Sequence, residues 1–338
     1  MSSIRDVAKL CHVSPATVSR VLNNDQTYKT TPETRKNVLR AVAELDYKPL
    51  ARKRKKDAPQ GQGRPMISIG CLLATTKGKY SDPYYLSILS GIESEMERLG
   101  GAVTFLHTEQ ELENKEVLAN LLSMRLDGLV LMRPIADPLF ALLRSNIPHL
   151  VGIDIGHASI DSIDYDHARV SRMAVEYLYK KGHRQIGFVG GAVGKVPLIQ
   201  CRRYRSYVET MADFGLPIHH EWVLDCKWDD KLCIRLVEKV HKSHVLPTAF
   251  YAASDLMGIA VLRALCQLGV SVPDEVAVMG MSNIEMSQYT NPPLTTIDVP
   301  TYEMGVTVAR TITNRIQGDA TLPKRIILPS TLIERGSV

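Results

Sequence analysis

The hydrophobic pattern of this chain changes character twice, near residue 50 and near residue 65. At the N-terminus, Ile4, Val7, Ala8 and Leu10 recur on one helical face, which predicts a short helix from Ile4 to about Cys11. A turn follows at His12-Val13. Ser14 is a suitable N-cap, and Pro15 falls at the first helical position, where a missing N–H costs nothing. The second helix points Val18, Val21 and Leu22 inward and leaves Ala16, Thr17, Ser19, Arg20 and Asn23 on the remaining surface. Two short helices around a tight turn, with polar residues opening the second, fit a helix-turn-helix whose second helix enters a major groove. The same pattern alone also fits a helical hairpin with a solvated face. A third helix begins at Thr31-Pro32, takes Val38, Leu39, Val42 and Leu45 as its inward stripe, and ends near Asp46–Pro49.

From Met66 onward, short apolar runs alternate with helical periodicity. Met66–Leu73, Ala102–His107, Gly128–Met132 and His149–Ile153 read as buried strands. Pro83–Leu99, Glu109–Arg125 and Asp137–Ser145 read as the helices between them. The alternation restarts with strands at Gln185–Val189, Val223–Lys227, Thr248–Ala252 and Val276–Gly280, and helices at His167–Lys181, Arg202–Phe214, Asp230–His244 and Leu256–Leu268. Two successive strand–helix series predict an α/β body of two lobes with largely parallel sheets. Ligands of such sheets sit at the carboxyl ends of strands, and a cleft between lobes can enclose one.

Between these regions, Ala51–Pro65 has almost nothing to bury. Arg52, Lys53, Arg54, Lys55 and Lys56 are consecutive cations, followed by Pro, Gly and Gln. Asp57–Pro65 reads as a flexible linker. The cationic run fits either a solvated linker or contact with DNA phosphates, and its position behind a DNA-reading unit favours phosphates. The expected division is therefore 1–50, a helix-turn-helix headpiece; 51–65, a basic hinge; and 66–338, a two-lobed effector-binding and dimerisation domain. Charge supports it: residues 1–65 hold 14 Lys and Arg against 6 Asp and Glu, while the whole chain is only +5, so the body is net negative. A length of 338 residues implies two or three domains.

The six cysteines are scattered, with no metal-ligand spacing, so no metal, cofactor or disulfide framework is expected and the thiols read as reduced and mostly buried. The N-terminus has no apolar signal-peptide core, and no apolar run approaches membrane-spanning length. A cytoplasmic location without a membrane partner follows as the expectation. No paired-carboxylate or nucleophile motif points to an enzyme.

The N-terminal string resembles the lactose/galactose-repressor family almost residue for residue: Asp6-Val7-Ala8, then Val13-Ser14, then Thr17-Val18-Ser19-Arg20-Val21-Leu22-Asn23. The resemblance continues through Asp82-Pro83-Tyr84-Tyr85, Gly182-His183-Arg184-Gln185-Ile186, Ser254-Asp255, Val272-Pro273-Asp274 and Pro292-Pro293-Leu294-Thr295-Thr296, to the final Leu328–Ser337. It implies a headpiece followed by a core similar to periplasmic sugar-binding proteins, with three chain crossings between lobes, near Asp161–Asp164, Asn291–Thr296 and Pro323–Lys324. Within the family, Asp164-x-Asp166-x-Ala168-Arg169 and Gly187-Phe188-x-Gly190-Gly191 resemble the branch of evolved β-galactosidase repressors and Gram-positive galactose repressors.

The resemblance also implies site residues. Ser14, Ala16, Thr17, Ser19, Arg20 and Asn23 would face DNA. Tyr84 and Tyr85 would form one wall of an effector pocket, although either also fits the core. Arg203, with Arg202 and Arg205 as its surface rivals, would hold hydroxyls or a carboxylate. Trp228 follows a strand where sugar-binding members place an aromatic, and its indole face suits a pyranose. Asp166 and Asp255 match family acids, but both also fit helix caps. His183 sits in a helix-to-strand turn and reads as structural. Two departures stand out. Ser282-Asn283 follows Gly280-Met281 where many sugar-responsive members carry an acid, and Lys56 stands where members carry a minor-groove Leu.

The expected function is therefore a sugar-responsive transcription regulator, a repressor answering to galactose or a galactoside. It would act as a homodimer on pseudo-palindromic double-stranded operator DNA. The alternatives are a transport-type sugar-binding protein and a regulator answering to a non-sugar effector.

Overall fold

A computed structural model of the chain describes residues 3–22, 30–45, 66–73, 81–192, 196–243 and 245–338. The headpiece has three helices: α1 (Ile4–Leu10), α2 (Pro15–Leu22) and α3 (Pro32–Glu44). Val7, Ala8, Val18, Val21, Val38 and Ala41 form its core. Two expected inward positions differ. Leu10 is 44% exposed, and Cys11 packs inward instead, its thiol donating to the Asn37 carbonyl at 3.3 Å. In α3, Ala41 rather than Leu39 joins the core.

The first lobe runs β1 (Ile67–Leu73), α4 (Pro83–Arg98), β2 (Gly101–Thr108), α5 (Lys115–Ser123), β3 (Gly128–Leu131), α6 (Asp137–Asn146), β4 (His149–Ile153) and β5 (Asp161–Tyr165). The second contains α7 (His167–Lys180), β6 (Ile186–Gly190), α8 (Arg202–Asp213), β7 (Val223–Asp225), α9 (Asp230–Ser243), β8 (Ala249–Ala252), α10 (Asp255–Leu268), β9 (Ala277–Met279) and β10 (Thr296–Asp298). The chain then returns to the first lobe as α11 (Thr301–Ile316) and β11 (Arg325–Leu328), and ends as β12 (Thr331–Ile333) beside β10.

Both sheets are parallel, in the orders β11-β5-β4-β3-β1-β2 and β7-β6-β8-β9. The inner strands feed two cores because successive side chains point to opposite faces. In β3, Val130 joins one cluster while Leu129 and Leu131 join another; in β8, Ala249 and Tyr251 face one way, Phe250 and Ala252 the other. One continuous cluster carries residues of both sheets and binds the lobes together.

Three features depart from the sequence expectation. Residues 109–125 are not one helix: a 3-10 turn at Gln110–Glu113 ends at Asn114, whose side chain caps α5 by accepting from the Glu116 N–H at 2.8 Å. The crossings all fall later than expected, at 166, 299–300 and 329–330. Asp161-Ser162-Ile163-Asp164-Tyr165 is a buried strand rather than a crossing, because Arg315 and Arg325 neutralise Asp161 and Asp164. Finally, α11 had no clear sequence signal. It is rich in β-branched residues and interrupted by Gly305, both unfavourable in isolated helices. Packing against α4 overrides that propensity, and Thr307 and Thr311 direct their hydroxyls to carbonyls four residues earlier.

Candidate effector site and DNA-reading helices

Ser14 fixes the start of α2, its hydroxyl accepting from the Thr17 N–H at 3.0 Å. Burial of Val18 and Val21 turns Ala16 and Arg20 to solvent on one face, with Thr17 and Ser19 half-buried beside them. Asn23 and Arg52–Lys56 lie outside the described residues.

In the body, side chains converge where the lobes meet. Tyr165 ends β5 at the carboxyl edge of the first sheet. Its hydroxyl accepts two bonds from Arg203 on α8 of the other lobe, from Nε at 3.1 Å and Nη2 at 2.5 Å. The same guanidinium lies 5.4 Å from the centre of the Trp228 ring. Trp228 is held there by a tight turn: Lys227 and Trp228 both have left-handed φ, 50° and 58°. Gly191 lets this turn approach, since a Cβ there would sit 2.8 Å from the Trp228 nitrogen. On the first-lobe side, Tyr84 and Tyr85 meet edge to face at 5.1 Å and pack against the shared core. Their helix is opened by Asp82, which accepts from the Tyr84 N–H at 3.0 Å. Burial pushes the Tyr84 and Tyr85 hydroxyls up, so both remain neutral donors.

A second polar group adjoins the first. Asp154, in a left-handed turn after β4 (φ 56°), accepts from Arg202 Nη1 at 2.6 Å and lies 3.0 Å from His167 Nε2. Burial alone would raise the Asp154 carboxyl, but His167 and the two arginines outweigh it and hold it below the usual carboxylate range. His167 stacks on Tyr165 at 4.0 Å, and burial lowers its pKa, so its ring is neutral at neutral pH. The pairs Arg202–Asp154 and Arg203–Tyr165 both span the two lobes.

Four of the seven expected effector residues, Tyr84, Tyr85, Arg203 and Trp228, therefore lie around one junction. The other three are engaged elsewhere. Asp166 is exposed and caps α7, accepting from the Arg169 N–H at 3.0 Å. Asp255 is fully buried, with one oxygen accepting from Thr296 at 2.5 Å and the other from the Ile284 N–H at 2.9 Å. It ties α10 to β10 and to the Ile284 turn. Ser282 is buried at φ 116°, its N–H donating to the Ile297 carbonyl at 2.8 Å. His183 keeps its structural place, Nδ1 lying 3.1 Å from the Thr248 hydroxyl. Sequence reasoning passed over Tyr165, Asp154 and His167, and gave Arg202 only as a surface rival of Arg203. The available signal was position: Tyr165 ends β5 and Asp154 follows β4 at the carboxyl edge, where such sheets bind ligands.

A basic three-helix reader joined to two parallel α/β lobes, with arginine, indole and phenol groups at their junction, defines a DNA-binding regulator with a ligand-sensing body. Residues 3–49 match the model of bacterial regulatory proteins of the lacI family, and residues 175–338 match a periplasmic binding protein-like domain. The chain belongs to the lacI family and is a transcriptional repressor, not an enzyme. It is similar to the HTH-type transcriptional repressor MelR of Bacillus subtilis, 31% identical over 100% of this chain and 97% of that protein. Among solved structures, it resembles the transcriptional regulator CelR–cellobiose complex, with a TM-score of 0.73, 27% identity and 100% of each chain covered. It also resembles the lac repressor dimer bound to operator and the anti-inducer ONPF, with a TM-score of 0.69, 26% identity and coverage of 99% and 98%. Among the described residues, no helix is long and apolar enough to cross a membrane.

Proposed function

We propose that this repressor acts as a homodimer whose operator affinity is set by a small hydroxylated molecule held between the lobes by Arg203, Trp228, Tyr84 and Tyr85. A galactose-type sugar is the first candidate, on the resemblance of the sequence to galactose repressors. The observation that carries the reading is the position of Arg203: a forked donor beside an indole face, at the carboxyl edge of the first sheet. The cellobiose held by CelR supports a sugar, and the operator-bound lac repressor dimer supports the two-fold arrangement.

In this reading Ser14, Ala16, Thr17, Ser19, Arg20 and Asn23 face the major groove, and Arg52–Lys56 contact phosphates. The headpiece occupies 1–50, the basic hinge 51–65 and the sensing body 66–338. Control follows from linkage. An effector that prefers one lobe arrangement, and DNA that prefers another, weaken each other by the same factor.

Tryptophan fluorescence tests the site. The chain has two tryptophans, and Trp222 is buried, its indole N–H donating to the Val245 carbonyl at 2.8 Å. Galactose or a galactoside is expected to change the emission of the wild type and of Trp222→Phe, but not of Trp228→Phe. A response that survives in Trp228→Phe and disappears in Trp222→Phe removes Trp228 from the site.

A further inference from the structure

At the lobe junction Arg203 has no carboxylate in direct contact, and that describes the ligand. Helix α8 opens with Arg202-Arg203, has no acid in its first turn, and has no side chain capping its N-terminus. Helix N-termini carry partial positive charge and favour anions, so two cations there are unfavourable unless something negative faces them. Asp154 faces Arg202 and is already engaged by it and by His167. Arg203 differs. Its Nε and Nη2 meet only the neutral Tyr165 hydroxyl, and among the described residues no acceptor meets its Nη1 and no carboxylate lies within ion-pair distance. Asp82, the next acid within electrostatic reach, is engaged in capping α4. Asp255 is turned away into its own buried bonds.

We propose that the effector is itself an anion: a sugar-sized, hydroxylated body bearing a carboxylate or phosphate that docks on Arg203 at the start of α8. The proposal rests on the effector site proposed above and adds its charge. A half-buried guanidinium with no carboxylate in direct contact is costly, and a bidentate oxyanion relieves that cost in a way that a hydroxyl cannot. Trp228 and the two tyrosines remain free to cover the apolar face of the same ligand.

The test is binding of three probes to the full-length protein, by calorimetry and thermal shift: galactose, galacturonate and galactose 6-phosphate. At least one anion is expected to bind at least about tenfold more tightly than galactose, with an affinity that falls as salt rises. The better of the two anions distinguishes a carboxylate effector from a phosphate one. Arg203→Gln is expected to remove that advantage and Arg203→Lys to keep part of it. Arg203→Gln must keep the far-UV circular dichroism spectrum and the cooperative melt of the wild type, so that a lost anion advantage reports the charge and not misfolding. Galactose binding as tightly as both anions overturns the charge and leaves the sugar site standing. Failure of all three to bind overturns the charge and removes galactose-type sugars as effectors.

Discussion

Asp255 shows how a single carboxylate is diverted from ligand chemistry. Its two bonds close the first turn of α10 onto Thr296 and Ile284, and a side chain at Gly280 would overlap it. Burial pushes its carboxyl up to about 6, above the ordinary value of 3.8. The folded protein therefore holds this proton more tightly than the unfolded chain. Its contribution to stability is full below about pH 4 and is lost as pH rises through about 6. Asp255→Asn should flatten the decline in melting temperature across that interval relative to wild type, measured by a pH series on both proteins. Parallel profiles would show that the carboxyl does not titrate there. At this scale the sequence was only partly informative. Trp228 is one of two tryptophans, Arg203 opens a helix beside it in space, and they meet. Asp166 and Asp255 matched family acids equally well, but a cap and a buried acceptor look the same in sequence as a ligand contact. Tyr165 was hidden because Asp161–Tyr165 carries two acids and a serine in five residues. Only distant arginines, Arg315 and Arg325, make it a buried strand.

Among the elements, α4 and α11 are the most demanding pair. They cross at Gly91 and Gly305, where a Cβ on Gly91 would overlap the Tyr302 carbonyl and one on Gly305 the Ile88 carbonyl. In an isolated helix Gly→Ala would stabilise by about 1 kcal/mol. Here the backbones must separate, so Gly305→Ala should instead destabilise by about 1–3 kcal/mol. A lower urea midpoint with unchanged slope is the expected result, and a higher midpoint would mean that the helices do not meet this closely. The same pair explains what was legible. Long, strongly periodic segments such as α7, α9 and α10 declare themselves locally. The helix α11 exists because α4 and the first sheet receive it, and its threonine-rich sequence carries little of that information.

On the scale of the whole molecule, the chain crosses between lobes at 166, 299–300 and 329–330, and the two candidate ligand contacts Arg203 and Tyr165 sit on opposite sides of the first crossing. In the proposed reading, a ligand at this junction biases the relative position of the lobes. The two-lobed plan was legible because strand–helix alternation restarts near residue 185. The crossings were displaced by a few residues because strands flanking them are short and polar. The central claim is that a ligand at Arg203 and Trp228 is coupled to DNA binding. Its most direct test is the affinity for a fluorescent operator duplex, selected from a random-sequence pool, measured by anisotropy with and without a sugar or sugar acid already shown to bind. In the wild type, saturating ligand should change operator affinity by roughly tenfold or more, and in Arg203→Gln the change should vanish while ligand-free operator binding persists. An operator affinity that is indifferent to bound ligand, or an unchanged response in Arg203→Gln, would contradict it.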